Sequence, residues 1–461
     1  MTTTTATAPR LGPVTQYALL AGPLLSMLDS SIVNVAVAPI AARLHTDLTA
    51  VGWTVSGYLL AMGAGLAATS YLARRFGTLP VYRTALLLFT LASVACALAP
   101  TIGFLVGARV CQGLSGAPLV PLAMSMLLGN GGATRSMSPI GGMLLFLGPA
   151  LGPSVGGALI GSVGWRAIFL INAPLGLLAV LAALRIPPAL APGRTAGVRF
   201  DPVGLTMLAA GLTALLYGTG RGGEHGWSAP GAWVPIAVGA ALLLAYTGWA
   251  GRREHPALDL SVARYRSSVL ALCLCAAASI VTFAAVFLLP VFLQTAQGHS
   301  ALVTGLAMLP QGILTGLGTV LGQRVLTRIS VRTTVFAGFT VLAVASAAML
   351  AIGAHTPIAV TATILAARSV SVGLVITPLL AVLVQPLRPE RLADANTLFS
   401  IWQRIAGSFG VGGVASWYAS AAVRHGPVVA LHQTAWGLIA LATVAIPVAL
   451  ALPATRNTAL L

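Results

Sequence analysis

The sequence contains no lysine and only eight acidic residues, and charged side chains make up just 7% of its 461 residues. A soluble globular surface needs about a quarter of its residues charged, so that class is excluded. Cysteine is scarce too: Cys96, Cys111, Cys273 and Cys275 all fall within apolar runs, which excludes a disulfide framework. Cys273 and Cys275, two apart on a helix, point to different faces and make a poor metal pair. The seven histidines lie in loops or at predicted helix ends. Neither a metal site, nor a cofactor, nor a histidine proton relay is read from them.

What fills the chain instead is apolar: 57% hydrophobic residues and a mean hydropathy of +0.93. That is the composition of a polytopic membrane protein. The formal charge of +17 would suggest a nucleic-acid partner in a soluble protein, but its placement argues for a lipid bilayer. Fourteen apolar spans are read at about 17–40, 51–72, 84–100, 102–128, 138–162, 166–184, 202–220, 231–250, 268–293, 301–323, 333–353, 358–384, 395–420 and 430–453. Eighteen arginines fall in the tails and one set of loops; the opposite loops hold only Arg43, Arg166, Arg221 and Arg424. The positive-inside rule then puts both termini in the cytoplasm of a multi-pass cell-membrane protein. Arg109, Arg368 and Arg404 lie within spans.

The spacing also predicts an internal repeat. Arg74-Arg75…Arg83 resembles Arg324…Arg328…Arg332, and Ala108-Arg109 resembles Ala367-Arg368, at offsets of about 250–260 residues. The expected fold is all-α: a six-helix bundle at 17–184, a second at 267–453, and an inserted two-helix hairpin at 201–250 between them. The tails 1–16 and 454–461, the linker 185–200 and the loop 251–266 are expected in the cytoplasm.

Asp29 breaks the pattern of acids at helix ends. It lies twelve residues into the first span, about 18 Å deep at ~1.5 Å per residue. A carboxylate at such depth costs about 3 kcal/mol, and intramembrane acids mark ion or proton pathways. The expectation is a protonatable coupling site; the alternative is a neutral acid that helps helices pack. Arg109 cannot shed its proton and must be paired, hydrated or snorkelling. With Gln112 at i+3, it is expected to tune Asp29 or hold a carbonyl in a polar network.

In the fifth span Gly148, Gly152 and Gly156 recur every four residues, beside Pro153 and Gly157. That stripe allows close helix approach, as a hinge for rocking or as simple packing. Arg74, Arg75, Gly77 and Arg83 form a basic turn after the second span. It reads as a topology determinant or as a cytoplasmic latch on neighbouring helix C-termini.

These segments together resemble the major facilitator superfamily, and within it the fourteen-span drug:proton antiporters, over nearly the whole chain. Leu28-Asp29…Asn34-Val35-Ala36…Pro39 is similar to that branch's first-span motif, and Trp53…Tyr58-Leu59-Leu60 to its second-span pattern. Arg109…Gln112-Gly113 resembles the fourth-span motif, and Gly148…Gly152-Pro153…Gly156-Gly157 the antiporter motif of the fifth. Trp165-Arg166…Phe169-Leu170…Asn172…Pro174 resembles the start of the sixth. One motif departs: Ser70 and Arg74 stand where the family carries Gly and Asp, so its usual acid–base latch cannot form.

The resemblance implies a central cavity lined by the first, fourth, ninth and twelfth spans, with their neighbours beside them. Its candidate lining residues are Asn34, Trp53, Tyr58, Gln112, Phe283, Phe287, Gln294, Met308, Gln311, Asn396, Trp402, Gln403 and Arg404. This mixture suits a lipophilic small molecule. The expected activity is proton-coupled drug or natural-product efflux by a monomer, driven by the proton gradient, with substrate and proton competing at Asp29. A proton-coupled importer or an amphiphile flippase of the same fold stays open. A membrane enzyme would need clustered His, Asp or Cys residues, which the spans lack.

Overall fold

The computed structural model describes residues 13–128, 139–190, 201–225, 229–253, 256–257, 260, 265–326, 328–385 and 392–454. Most of the expected N- and C-terminal tails, positions 191–200 of the linker and part of the 251–266 loop lie outside the described residues. Among the described residues the chain is all helical.

The first span is α1 (Pro13–Ile32) and α2 (Val37–Arg43), joined by a 3₁₀ turn at Val33–Val35. It is followed by α3 (Leu48–Phe76), α4 (Thr78–Ala97), α5 (Ile102–Gly116) with α6 (Leu119–Leu128), α7 (Pro139–Ser162), and α8 (Ala167–Leu170) with α9 (Asn172–Leu184). Helices α10 (Pro202–His225) and α11 (Pro230–Ala250) come next. The chain ends with α12 (Arg266–Thr295), α13 (Ala301–Leu326), α14 (Val331–Ala347), α15 (Ile358–Val384), α16 (Leu392–His425) and α17 (Pro427–Leu450). Each of the fourteen sequence spans coincides with one helix or with two in line. Among the described residues, twelve such segments are long and apolar enough to cross a membrane; α7 and α16 add lengths of 24 and 34 residues.

The break in the first span has a local cause. Ser30 and Ser31 hydroxyls donate to the carbonyls of Met27 and Leu28, and the Asn34 amide donates to those of Ser30 and Ser31. Side chains that compete with the backbone for its acceptors favour the tighter 3₁₀ turn. Elsewhere polar caps set helix starts: Asp47 accepts from Ala50 N, Thr101 from Phe104 N and Ser330 from Thr333 N.

Helix α1 packs on α7, α6 and α9, while α5 lies against α3 and α4. In the later part α15 packs on α13, α14 and α12, and α17 on α14, α16 and α12. The two groups meet along α7/α13 and α3/α16, and α10 lies over α16 and α3. Leu87, Leu88, Leu91, Leu177, Leu178 and Leu181 are exposed, so outward faces are as apolar as the core. That suits lipid as the surrounding solvent. The inserted pair is Gly-rich because it packs backbone to backbone: a Cβ on Gly239 would stand 2.6 Å from the Gly211 carbonyl oxygen.

Candidate functional site

Asp29 has no exposed surface, and three donors from two other spans converge on it. Arg109 Nη1 donates to its Oδ2 at 2.6 Å; Gln112 Nε2 and Asn172 Nδ2 donate to its Oδ1 at 2.9 and 2.7 Å. The ring of partners closes on itself. Arg109 Nη1 also donates to Gln112 Oε1 at 2.6 Å, Arg109 Nε to the Thr54 carbonyl at 2.9 Å, and Gln112 Nε2 to Ser93 Oγ at 2.6 Å. The guanidinium lies 3.9 Å above the Tyr58 ring, and Cys96 Sγ donates to Gln112 Oε1 at 3.6 Å. Helices α1, α3, α4, α5 and α9 thus meet at one polar cluster inside an apolar bundle. Among the described residues, Arg109–Asp29 is the one salt bridge.

Arg109 therefore does not snorkel; it is fully buried. Asp29 is out of reach of any substrate in this conformation, so the direct competition expected from the sequence is not what the geometry offers. Tyr58 and Gln112, expected on the cavity wall, are buried inside the Asp29 cluster. Asn172 enters the sequence reading only as part of the sixth-span motif, with no role beside Asp29, and Ser93 and Thr54 do not enter it. Asn172 had a signal, a lone amide at the start of the sixth span; Ser93 is an ordinary small residue in an apolar run and had none.

The other wall candidates scatter. Phe287 is buried near Gly52, and Phe283 packs so that a Cβ on Gly407 would stand 2.7 Å from its ring. Trp402 Nε1 donates to the Leu272 carbonyl at 2.8 Å, and Gln294 Nε2 to the Val35 carbonyl at 3.0 Å, joining α12 to the 3₁₀ turn. Met308 and Asn34 are buried, and Asn396 is exposed. Trp53, Gln403 and Arg404 are half-buried, with Arg404 Cβ facing Gly63. Gln311 lines a separate cavity with Arg368.

The glycines of α7 face two ways. A Cβ on Gly152 would run into Ser31, and one on Gly156 would stand 3.0 Å from Val35, both on the first span. Gly157 instead abuts the backbone of Ala301 on α13, where Gly305 in turn abuts Pro153. Ser154 Oγ donates to the Gly305 carbonyl at 2.9 Å across the same contact. Pro153 thus sits at the α7–α13 seam, whereas only the backbone is described at Gly148. A second seam, unmarked by any motif, brings Gly318 and Gly322 of α13 against Gly373 of α15.

Of the basic turn, Arg74 and Arg75 are exposed. Gly77 carries φ +95° at the α3–α4 corner, a conformation suited to glycine. Arg83 donates to the carbonyls of Ala183, Leu184 and Ile186 at the C-terminus of α9. The later repeat does the same: Arg332 Nε donates to the Leu452 carbonyl at 2.7 Å, beyond the end of α17. Arg83→Ala should lower stability by about 1–2 kcal/mol, and Arg74→Ala by less than about 0.5 kcal/mol. Thermal unfolding of the purified variants in detergent checks the difference.

A helical membrane fold with a buried acid–arginine pair in its first half and a matching arginine in its second describes a transporter better than an enzyme. The family model described as the Major Facilitator Superfamily matches residues 19–411, and the chain belongs to that superfamily. It is 32% identical to the Multidrug resistance protein B homolog of Mycobacterium tuberculosis, over 84% of this chain and 72% of that one. It is 30% identical to the Multidrug export protein EmrB of Escherichia coli, over 84% and 76%. It is also 30% identical to the Methylenomycin A resistance protein of Streptomyces coelicolor, over 86% and 83%. The resemblance to drug transporters read from the motifs agrees with the names these relatives carry. The fold resembles that of the D-xylose-proton symporter, with a TM-score of 0.65 at 14% identity over 96% of this chain and 98% of that one.

Proposed function

We propose that this chain exports lipophilic small molecules across the cytoplasmic membrane in exchange for protons, as a monomer with both termini in the cytoplasm. The observation that carries the reading is the buried Asp29–Arg109 pair with Gln112 and Asn172 around it. The names of the relatives supply the direction of transport. As a carboxylate, Asp29 accepts from all three donors. A proton taken up there forms the neutral acid, weakens the pull on Arg109 and frees the guanidinium to lean on Thr54, Gln112 and the Tyr58 ring. Coupling runs through that exchange of partners rather than through substrate contact with Asp29. One charge crossing the potential supplies about 2.3 kcal/mol per 100 mV, enough to bias a cycle outward.

In the proposed orientation the contacts Gly157/Ala301, Gly305/Pro153, Gln294/Val35 and Ser56/Ser408 lie toward the outer side. This conformation is then closed outside. Inside-out vesicles acidified in the lumen test the reading. Adding a lipophilic dye, tried in anionic and in neutral form, should drive protons out and dye in, and nigericin should stop both. Dye movement down the proton gradient, together with the protons, would instead establish an importer.

A further inference from the structure

The C-terminal half repeats the arginine of the first half but not its acid. Arg109 on α5 meets Asp29 on α1; its counterpart Arg368 on α15 meets a backbone carbonyl on α12, donating from Nη2 to Val281 O at 2.6 Å. Its other bond runs from Nη1 to the sulfur of Met349 at 3.8 Å, a weak acceptor. Arg368 is only 5% exposed, yet Nε has no acceptor, and no acid pairs with it among the described residues. A buried guanidinium cannot neutralise itself by losing its proton, and an unpaired buried charge is strongly destabilising. Beside it is an open-mouthed cavity of about 10 Å³, room for a single water-sized group, lined by Arg368, Gln311, Thr282, Val286, Leu342 and Leu365. Gln311 Oε1 is the second orphan: buried and without a hydrogen bond.

We infer that Arg368 and Gln311 form a binding site for a monovalent anionic group, occupied in transport by the carboxylate of a lipophilic acid. Arg368 Nε–H and a free guanidinium N–H supply the fork that a carboxylate matches. The Gln311 amide presents its NH₂ by rotation, or its oxygen to a hydroxyl on the ligand. The apolar wall of Val286, Leu342 and Leu365 receives the carbon adjoining the head. The cavity takes only the charged head of a ligand, whose apolar body has to lie at the open mouth. Anionic cargo fits the energetics too, because an inside-negative potential pushes an anion outward. Calling the occupant a substrate rests on the efflux reading above; the anion site itself does not.

Binding of benzoate and of its neutral isostere benzamide to the purified full-length protein in nanodiscs, by calorimetry in chloride-free sulfate buffer, tests the site. Benzoate should bind at least about tenfold tighter than benzamide, a difference of about 1.4 kcal/mol. Arg368→Gln should erase that preference, Arg368→Lys should keep part of it, and Gln311→Ala should weaken benzoate several-fold. Equal binding of acid and amide to the unaltered protein, which needs no variant to fold, would overturn the inference. So would a preference that survives Arg368→Gln. A chloride titration separates the sources of the anion: benzoate retained at physiological chloride supports a carboxylate ligand, whereas displacement there makes chloride the occupant and overturns the substrate assignment. Because binding is read without a gradient, the two readings fail separately. Proton-driven efflux with equal acid and amide binding sinks this site alone, and acid preference without driven transport sinks only the efflux reading.

Discussion

Asp29→Asn should reduce gradient-driven dye export to background and should also destabilise the protein more than Arg109→Gln does. The asymmetry follows from which partner can lose its charge. Removing the carboxylate leaves a buried guanidinium with no acid, a loss of about 3 kcal/mol at the lower end for a broken buried pair. The low end applies because Thr54 O, Gln112 Oε1 and the Tyr58 ring still face Arg109. Removing the arginine leaves an acid that can take a proton and keep its bonds from Gln112 and Asn172, so about 1–2 kcal/mol is expected. The double variant Asp29→Asn with Arg109→Gln should regain stability over Asp29→Asn alone while export stays at background. Thermal unfolding in detergent and vesicle efflux measure the two effects side by side. Export undiminished in Asp29→Asn would place the proton elsewhere. An Asp29→Asn protein as stable as Arg109→Gln would contradict the pair as the fixed point of the bundle.

The second large effect is expected at Gly157. A Cβ there meets the backbone of Ala301, with carbon atoms of Ala301 and Leu302 at 2.8 Å, so a leucine cannot be absorbed by a side-chain rotation. Overpacking of this kind costs about 1–3 kcal/mol. Because the contact joins α7 to α13, the penalty falls on the conformation closed at this end; about 2 kcal/mol moves such an equilibrium about thirtyfold. Gly157→Leu should slow export at least tenfold while the protein stays folded. Gly161→Leu on the same helix, with nothing within 4 Å of an added Cβ, should leave export unchanged. A cysteine placed by Thr304→Cys, buried at the same end, should resist an impermeant maleimide added outside and become reactive in the Gly157→Leu background. Full export with Thr304→Cys still protected would show that the seam does not open in the cycle.

The spans themselves were legible because hydropathy and arginine placement act over twenty residues at a time and average out local detail. Interruptions were not: the 3₁₀ turn at Val33–Val35 depends on which carbonyls Ser30, Ser31 and Asn34 capture, a choice among several equivalent acceptors. The pairing of Asp29 with Arg109 could be anticipated because each is expensive alone in an apolar bundle. Which residues turn toward a cavity could not. Whether Tyr58 or Gln112 faces a cavity or a polar cluster turns on helix rotation, and one position along a helix rotates a side chain by about 100°.

Taken alone, the amino-acid order determined a many-span helical bundle with internal repetition, an acid and an arginine that must find each other, and a glycine-rich helix built for close approach. Tertiary structure alone decided that Asn172 and Ser93 complete the acid's shell, that α7 is held between α1 and α13, and that Arg368 meets no carboxylate among the described residues. The division has one physical reason. The energy of burying a segment or a charge depends on the residue itself, whereas the identity of its partner depends on how helices distant in sequence rotate and settle against one another.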